Sequence, residues 1–118
     1  MDKKNILVFG AGWLGGKIAE HFDATLSKVD IGNVQAVKEE LLRVKPTHVI
    51  NTAGKTGRPN IDWCEDHRSE TVYSNITGPL VLMKECLEAN VHFTHLSSGC
   101  IFDGASPQPE GFTEEDEP

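Results

Sequence analysis

Three glycines set the terms for this chain. Gly10, Gly12 and Gly15 form a G-x-G-x-x-G run directly behind the apolar stretch Ile6-Leu7-Val8-Phe9 and directly ahead of a helical pattern. A short apolar strand that stops at glycine and resumes as a helix is the opening of a βαβ unit. Each glycine has its own task there. Gly10 permits the tight turn, Gly12 lets a pyrophosphate approach the backbone, and Gly15 lets helix and strand pack closely. The helix N-terminus, with Trp13 and Leu14 in its first turn, then faces the phosphates with its partial positive charge. A glycine-rich turn without a ligand is the plainer alternative, and the βαβ context favours dinucleotide binding over it.

The rest of the chain keeps the same alternation. Leu14, Ile18 and Phe22 recur as one stripe of a helix over residues 14–22. A weak strand over 24–29 precedes a helix marked by Val34, Val37, Leu41 and Val44 and ended by Pro46. His48 to Thr52 reads as a strand and Gly54 to Asn60 as a loop. Asp62 with Glu65 resembles a capping box, opening a helix to about Asn90 whose stripe is Val72, Ile76, Leu80, Met83 and Leu87. Pro79 either kinks that helix or begins a second piece at its first position; the unbroken phase of the stripe favours the kink. Val91 to Leu96 is a fourth strand.

The pattern predicts an α/β fold, a partial Rossmann-type doubly wound parallel sheet of about four strands with helices on both faces. Residues 1–104 would form this nucleotide-binding part and residues 105–118 an acidic loop leading away from it. Half a Rossmann sheet should leave an apolar edge strand and an uncovered face, which favours self-association or a partner carrying the rest.

With 118 residues the chain is long enough for one domain. Its net charge of −7 comes mostly from Glu110, Glu114, Glu115, Asp116 and Glu117, and the remainder is close to neutral. No basic stripe exists, which argues against nucleic acid and anionic membrane as partners. No apolar run approaches the roughly 18 to 20 residues of a membrane span, and no signal peptide is visible. The cytosol is therefore the expected compartment. Cys64, Cys86 and Cys100 are odd in number and widely spaced, so neither a disulfide framework nor a zinc site is expected. His92 and His95, three apart in a strand, point to opposite faces, and no metal site is expected from the histidines.

Asp30 lies 20 residues after Gly10, where an acidic side chain, flanked by Ile31, would take the ribose hydroxyls of an adenosine. Capping the next helix is its alternative role. Lys28 nearby would instead meet a 2′-phosphate, so NAD(H) and NADP(H) both remain open as cofactor.

Several segments resemble one family. Asn51-Thr52-Ala53-Gly54 is similar to the N-A-A-G segment of short-chain dehydrogenase/reductases. Leu96-Ser97-Ser98-Gly99-Cys100-Ile101-Phe102-Asp103-Gly104 resembles the strand end that carries a catalytic Ser or Thr in their extended, RmlD-like branch. Thr56-Gly57-Arg58-Pro59-Asn60-Ile61-Asp62-Trp63-Cys64-Glu65 is more specific. It resembles a run in the 3,5-epimerase/4-reductase domain of UDP-rhamnose synthases and related nucleotide-rhamnose synthases.

The resemblance implies two reactions on a nucleotide-linked 4-keto-6-deoxyhexose. Protons at C3 and C5 are removed and returned on the other face, and hydride from NAD(P)H reduces the C4 ketone. Ser98 matches the residue that hydrogen-bonds the ketone oxygen. Cys100 matches the position that returns a proton to carbon, a task suited to a thiol. Ala53, Gly54, Lys55 and Asn75 would support the cofactor side, Asn75 through backbone contacts. Arg58, Asn60 and Trp63 would contact the nucleotide sugar, Arg58 by pairing with phosphate and Trp63 by stacking on a ring.

One expected pair is absent. The resemblance implies a Tyr-x-x-x-Lys motif, whereas the one tyrosine here is Tyr73 and the residue four positions on is Thr77. The chain alone is accordingly expected to bind a dinucleotide weakly and to reduce nothing. A 4-ketoreductase without epimerisation, in which Cys100 is dispensable, and a non-catalytic dinucleotide-binding module are the competing readings.

Overall fold

The computed structural model describes residues 4–97, 99 and 101–118. Four strands, β1 (Ile6–Phe9), β2 (Thr25–Ser27), β3 (His48–Asn51) and β4 (His92–His95), form one parallel sheet in the order β2-β1-β3-β4. The chain starts in the middle, winds outward to β2, then returns past β1 to β3 and β4. The direction of winding reverses between β1 and β3, so a crevice opens beyond their carboxyl ends.

Strand alternation assigns the two faces. Leu7, Phe9 and Val49 face a core with Ile31, Val37, Leu41, Leu82 and Cys86, and Phe93 packs at its margin. Helices α2 (Val34–Val44) and α5 (Gly78–Glu88) cover this face. Val8, fully buried, points the other way under α1 (Trp13–Phe22), beside Gly15 and Ala19. Asn33, not Asp30, caps α2: its side chain accepts from Ala36 N–H at 3.0 Å.

The long helix expected after Asp62 is divided. α3 (Trp63–Asp66) ends at His67, whose φ of −124° is not helical. α4 (Arg68–Val72) then runs through a π-turn (Tyr73–Thr77) into α5. The Asp62 side chain caps nothing, so the capping box does not form. Its backbone N–H instead donates to Asn60 Oδ1 at 2.9 Å, and this Asx turn starts the helical segment.

Pro79 lies in the first turn of α5 rather than at a simple kink. Proline cannot donate to the carbonyl four residues back and clashes with it. The wide turn accommodates this just upstream, where Gly78 N–H reaches five residues back to the Tyr73 carbonyl.

The expected stripe on this segment faces outward. Val72, Ile76, Leu80, Met83 and Leu87 are all exposed, while Gly78, Leu82, Glu85 and Cys86 are buried. Gly78 and Cys86 permit a close helix–sheet approach and share the contact line with Leu82 and Glu85. Edge strand β4 is also less apolar than expected, since His92, Thr94 and His95 are its exposed residues. Residues 101–118 contain no helix or strand. They fold locally, with Phe102 stacked on Phe112 at 4.7 Å and Asp116 accepting from Thr113 N–H at 2.7 Å.

Candidate dinucleotide and substrate groove

The glycine turn is held by contacts that leave no room for side chains at two of its three positions. Gly10 has φ +96°, and a Cβ there would lie 2.5 Å from Ala53 N. A Cβ on Gly15 would overlap the Gly10 carbonyl oxygen. Thr52 Oγ1, at the end of β3, lies 2.9 Å from both the Phe9 and Gly10 carbonyl oxygens and donates to this pair. β1, its turn and β3 are thereby fastened together.

Gly12 differs. A Cβ there would meet nothing within 4 Å. Packing within the chain therefore gives no reason for a glycine at this position, and the open space beside it fits a ligand passing close to the backbone. The start of α1 agrees, having no side-chain cap and no acid in its first turn. Its first N–H groups are open to an anion. α2, by contrast, is capped from within the chain.

A cleft of about 810 Å³ extends from this turn, lined by Gly10, Gly12, Asp30, Ile31, Ala53 and Tyr73 among others. A second, of about 450 Å³, is lined by Leu14, Gly54, Lys55, Asn75, His95 and Ser97 among others. A third, of about 340 Å³, is formed by residues 54–58 with Trp63. Gly54 and Lys55 line all three, so the clefts join as one groove along the carboxyl edge of the sheet.

Lys55 is fixed at the junction. Asn75 Oδ1 accepts from Lys55 N–H at 2.6 Å, and Asn75 Nδ2 donates to the Lys55 carbonyl at 2.8 Å. The π-turn carries this asparagine to the loop. Asn51, fully buried, braces the same strand end through Ala53 N–H at 3.0 Å and His95 Nδ1 at 3.1 Å.

The residues expected for the sugar side are only partly assembled. Arg58 and Trp63 meet in the third cleft. Trp63 is not an open stacking platform, because His67 is stacked on one face with centroids 3.9 Å apart and planes 6° apart. Lys55 Nζ stands over the same indole at 5.6 Å. Asn60 is spent on the turn before α3. Trp13 is 79% exposed and lines none of these clefts. Ser98 and Cys100 lie outside the described residues.

Comparison with known proteins places this arrangement. Residues 4–118 match the family described as RmlD substrate binding domain. The chain belongs to this RmlD family. It is 38% identical over 122 residues to an Arabidopsis thaliana trifunctional UDP-glucose 4,6-dehydratase/UDP-4-keto-6-deoxy-D-glucose 3,5-epimerase/UDP-4-keto-L-rhamnose-reductase, covering 95% of this chain and 18% of that protein. A bifunctional dTDP-4-dehydrorhamnose 3,5-epimerase/dTDP-4-dehydrorhamnose reductase from the same plant is 39% identical over 124 residues, covering 97% and 41%. Among solved structures, a UDP-rhamnose synthase from Acanthamoeba polyphaga mimivirus superposes with a TM-score of 0.81 at 31% identity, covering 99% and 46%. The chain thus spans less than half the length of each of these relatives.

Within this RmlD domain, the sequence reading gave Tyr73 no part in the cleft. The structure brings its hydroxyl to Asp30 Oδ2 at 2.9 Å, and that carboxylate holds the phenol above its ordinary pKa. No spacing rule joins residues 43 apart in sequence; only the packing of the π-turn against the loop after β2 does.

Proposed function

We propose that this chain is the cofactor-binding part of a nucleotide-sugar 3,5-epimerase/4-ketoreductase, acting on a UDP- or dTDP-4-keto-6-deoxyglucose on the way to nucleotide-rhamnose. The cofactor would be NAD(H) or NADP(H). The observation that carries the reading is the unfilled space at Gly12 beside an uncapped helix, at the point where the sheet reverses its winding.

Gly10, Gly12 and the first turn of α1 would hold the diphosphate, and Asp30 the adenosine ribose. When bound, the nicotinamide supplies the hydride that reduces the C4 ketone. Lys55, fixed by Asn75, separates the cofactor side of the groove from the sugar side. Ser98 would orient the ketone oxygen by a hydrogen bond, and the Cys100 thiol would return a proton to carbon. Arg58 would pair with a phosphate of the nucleotide sugar.

Fluorescence titration of the chain with NADH and NADPH tests the cofactor part. Saturable binding by the wild type, weakened about tenfold or more by Gly12→Ala, supports it; equal affinity in the two proteins rejects it. The 118 residues alone contain no Tyr-x-x-x-Lys pair and are expected to reduce no 4-keto sugar nucleotide. Turnover by the purified chain would reverse that expectation. When the chain is joined to a segment bearing the pair, Cys100→Ser should abolish solvent-deuterium incorporation and spare hydride transfer. Retained incorporation would favour a plain ketoreductase.

Two coarser observations bear on setting. Among the described residues no helix is long and apolar enough to cross a membrane. We place the chain in the cytosol on its cysteine usage, with Cys64 and Cys86 both free; recovery in a membrane or secreted fraction would refute this. The outward stripe from Val72 to Leu87 supports self-association. A monomer at all concentrations in light scattering would refute that.

A further inference from the structure

Asp30 is held from two sides. Its Oδ1 accepts from Gly32 N–H at 2.9 Å and its Oδ2 from the Tyr73 hydroxyl at 2.9 Å. The surfaces behind these bonds interlock. A Cβ on Gly32 would fall on the Tyr73 ring, and one on Gly78 would come within 2.6 Å of Ile31 Cγ1. Ile31 is 5% exposed, so the two residues directly after Asp30 are anchored against the π-turn and α5. The carboxylate swings away from the cleft it lines only by giving up both hydrogen bonds.

The two candidate cofactors differ at one position of the adenosine ribose, a 2′-hydroxyl in NAD(H) and a 2′-phosphate in NADP(H). A carboxylate has about four lone-pair positions, and two are used here, which leaves acceptors for a ribose diol. A hydroxyl donates to such a group, whereas a phosphate has no proton to offer near neutral pH and is repelled. Lys28, Lys55 and Glu70 line the same cleft; the Lys55 ammonium is drawn over the Trp63 indole at 5.6 Å, which leaves Lys28 opposed by Glu70 and Asp30 as the acid held toward the ribose.

Resting on the dinucleotide reading above, we infer that Tyr73 is a positioning residue that holds Asp30 against the adenosine ribose and makes the cleft selective for NAD(H) over NADP(H). The phenol donates and does not titrate in this range, because the carboxylate beside it raises its pKa.

The test compares dissociation constants for NADH and NADPH at one ionic strength in the full chain, in Tyr73→Phe and in Asp30→Asn. The wild type should bind NADH about tenfold more tightly, reflecting one hydrogen bond gained and one charge repulsion avoided. Asp30→Asn should bring the two constants within about twofold. Tyr73→Phe keeps the ring against Gly32 and removes only the hydroxyl; it should narrow the preference about threefold. A merely structural tyrosine would weaken both cofactors alike and leave their ratio unchanged. An unchanged ratio in Tyr73→Phe overturns the positioning role, and wild-type binding of NADPH as tightly as NADH overturns the selectivity. If neither dinucleotide binds, the cofactor reading falls first and this inference with it.

Discussion

The two ends of the groove are held in different ways. At the end proposed for the adenosine, three contacts join distant parts of the chain, Thr52 to the β1 turn, Gly78 beneath Ile31 and Tyr73 to Asp30, while Gly15 against Gly10 closes the turn itself. At the end proposed for the sugar the contacts are local. Asn60 bonds Asp62 N–H, Trp63 stacks on His67, and Arg68 pairs with Glu65 at 3.1 Å on the surface. Long-range contacts form only when the sheet forms, so the adenosine end shares the stability of the whole fold. Local contacts can open without unfolding the sheet. Substitutions that disturb the packed contacts of the first end should therefore change stability and cofactor affinity together. A substitution at Gly12, which faces open space, should change affinity alone, and those at the second end should change neither.

The sharpest way to break this contrast is a methyl group at Gly15. The Gly10 carbonyl it would strike is backbone, so α1 must lift from β1. Gly15→Ala is expected to cost about 3 kcal/mol, read from the urea midpoint. Gly12→Ala, three residues away and facing open space, should shift that midpoint by less than about 0.5 kcal/mol while weakening the dinucleotide. Similar midpoints for the two variants would mean that the turn is not packed as described.

A smaller effect is expected where the two ends meet. Asn75→Ala removes both bonds to the Lys55 backbone and should cost about 1–2 kcal/mol in the same measurement. Asn75→Asp keeps an acceptor for Lys55 N–H but loses the donor to the Lys55 carbonyl, and should fall between wild type and alanine. If alanine costs nothing, the junction belongs with the locally held end.

Much of the adenosine end was legible because its signals are backbone signals. Glycine spacing, strand-then-helix order and the 20-residue step to Asp30 read directly onto the groove. What misled was the phase of two helices, α1 and α5, whereas Val37, Leu41 and Val44 of α2 do face the core. In α1 the expected stripe of Leu14, Ile18 and Phe22 lies beside the contact line of Gly15 and Ala19, and in α5 the stripe is turned fully outward. Periodicity finds the large apolar residues. It does not find which line of a helix settles on the sheet, Gly15 and Ala19 in α1 or Gly78, Leu82 and Cys86 in α5. The π-turn was illegible because Pro79 signals a disturbance of the helix without saying whether the turn kinks, breaks or widens to the five-residue bond from Gly78 N–H to Tyr73.

The smallest expected effect lies at the sugar end and tests the other half of the contrast. His67→Ala removes the ring stacked on Trp63 and uncovers that face of the indole. An aromatic pair of this kind contributes about 0.5–1.5 kcal/mol. Here the loss should be confined to the local helical turn, because none of its hydrogen bonds reaches the sheet. Amide exchange should therefore quicken over residues 60–67 and stay unchanged in β1 and β3, with the global midpoint moved by less than about 0.5 kcal/mol. Arg58→Ala, exposed and without a partner among the described residues, should leave even the local exchange unaltered. Faster exchange in β1 after His67→Ala would show that the sugar loop and the sheet open as one unit, and the two ends of the groove would then have to be treated as a single structure.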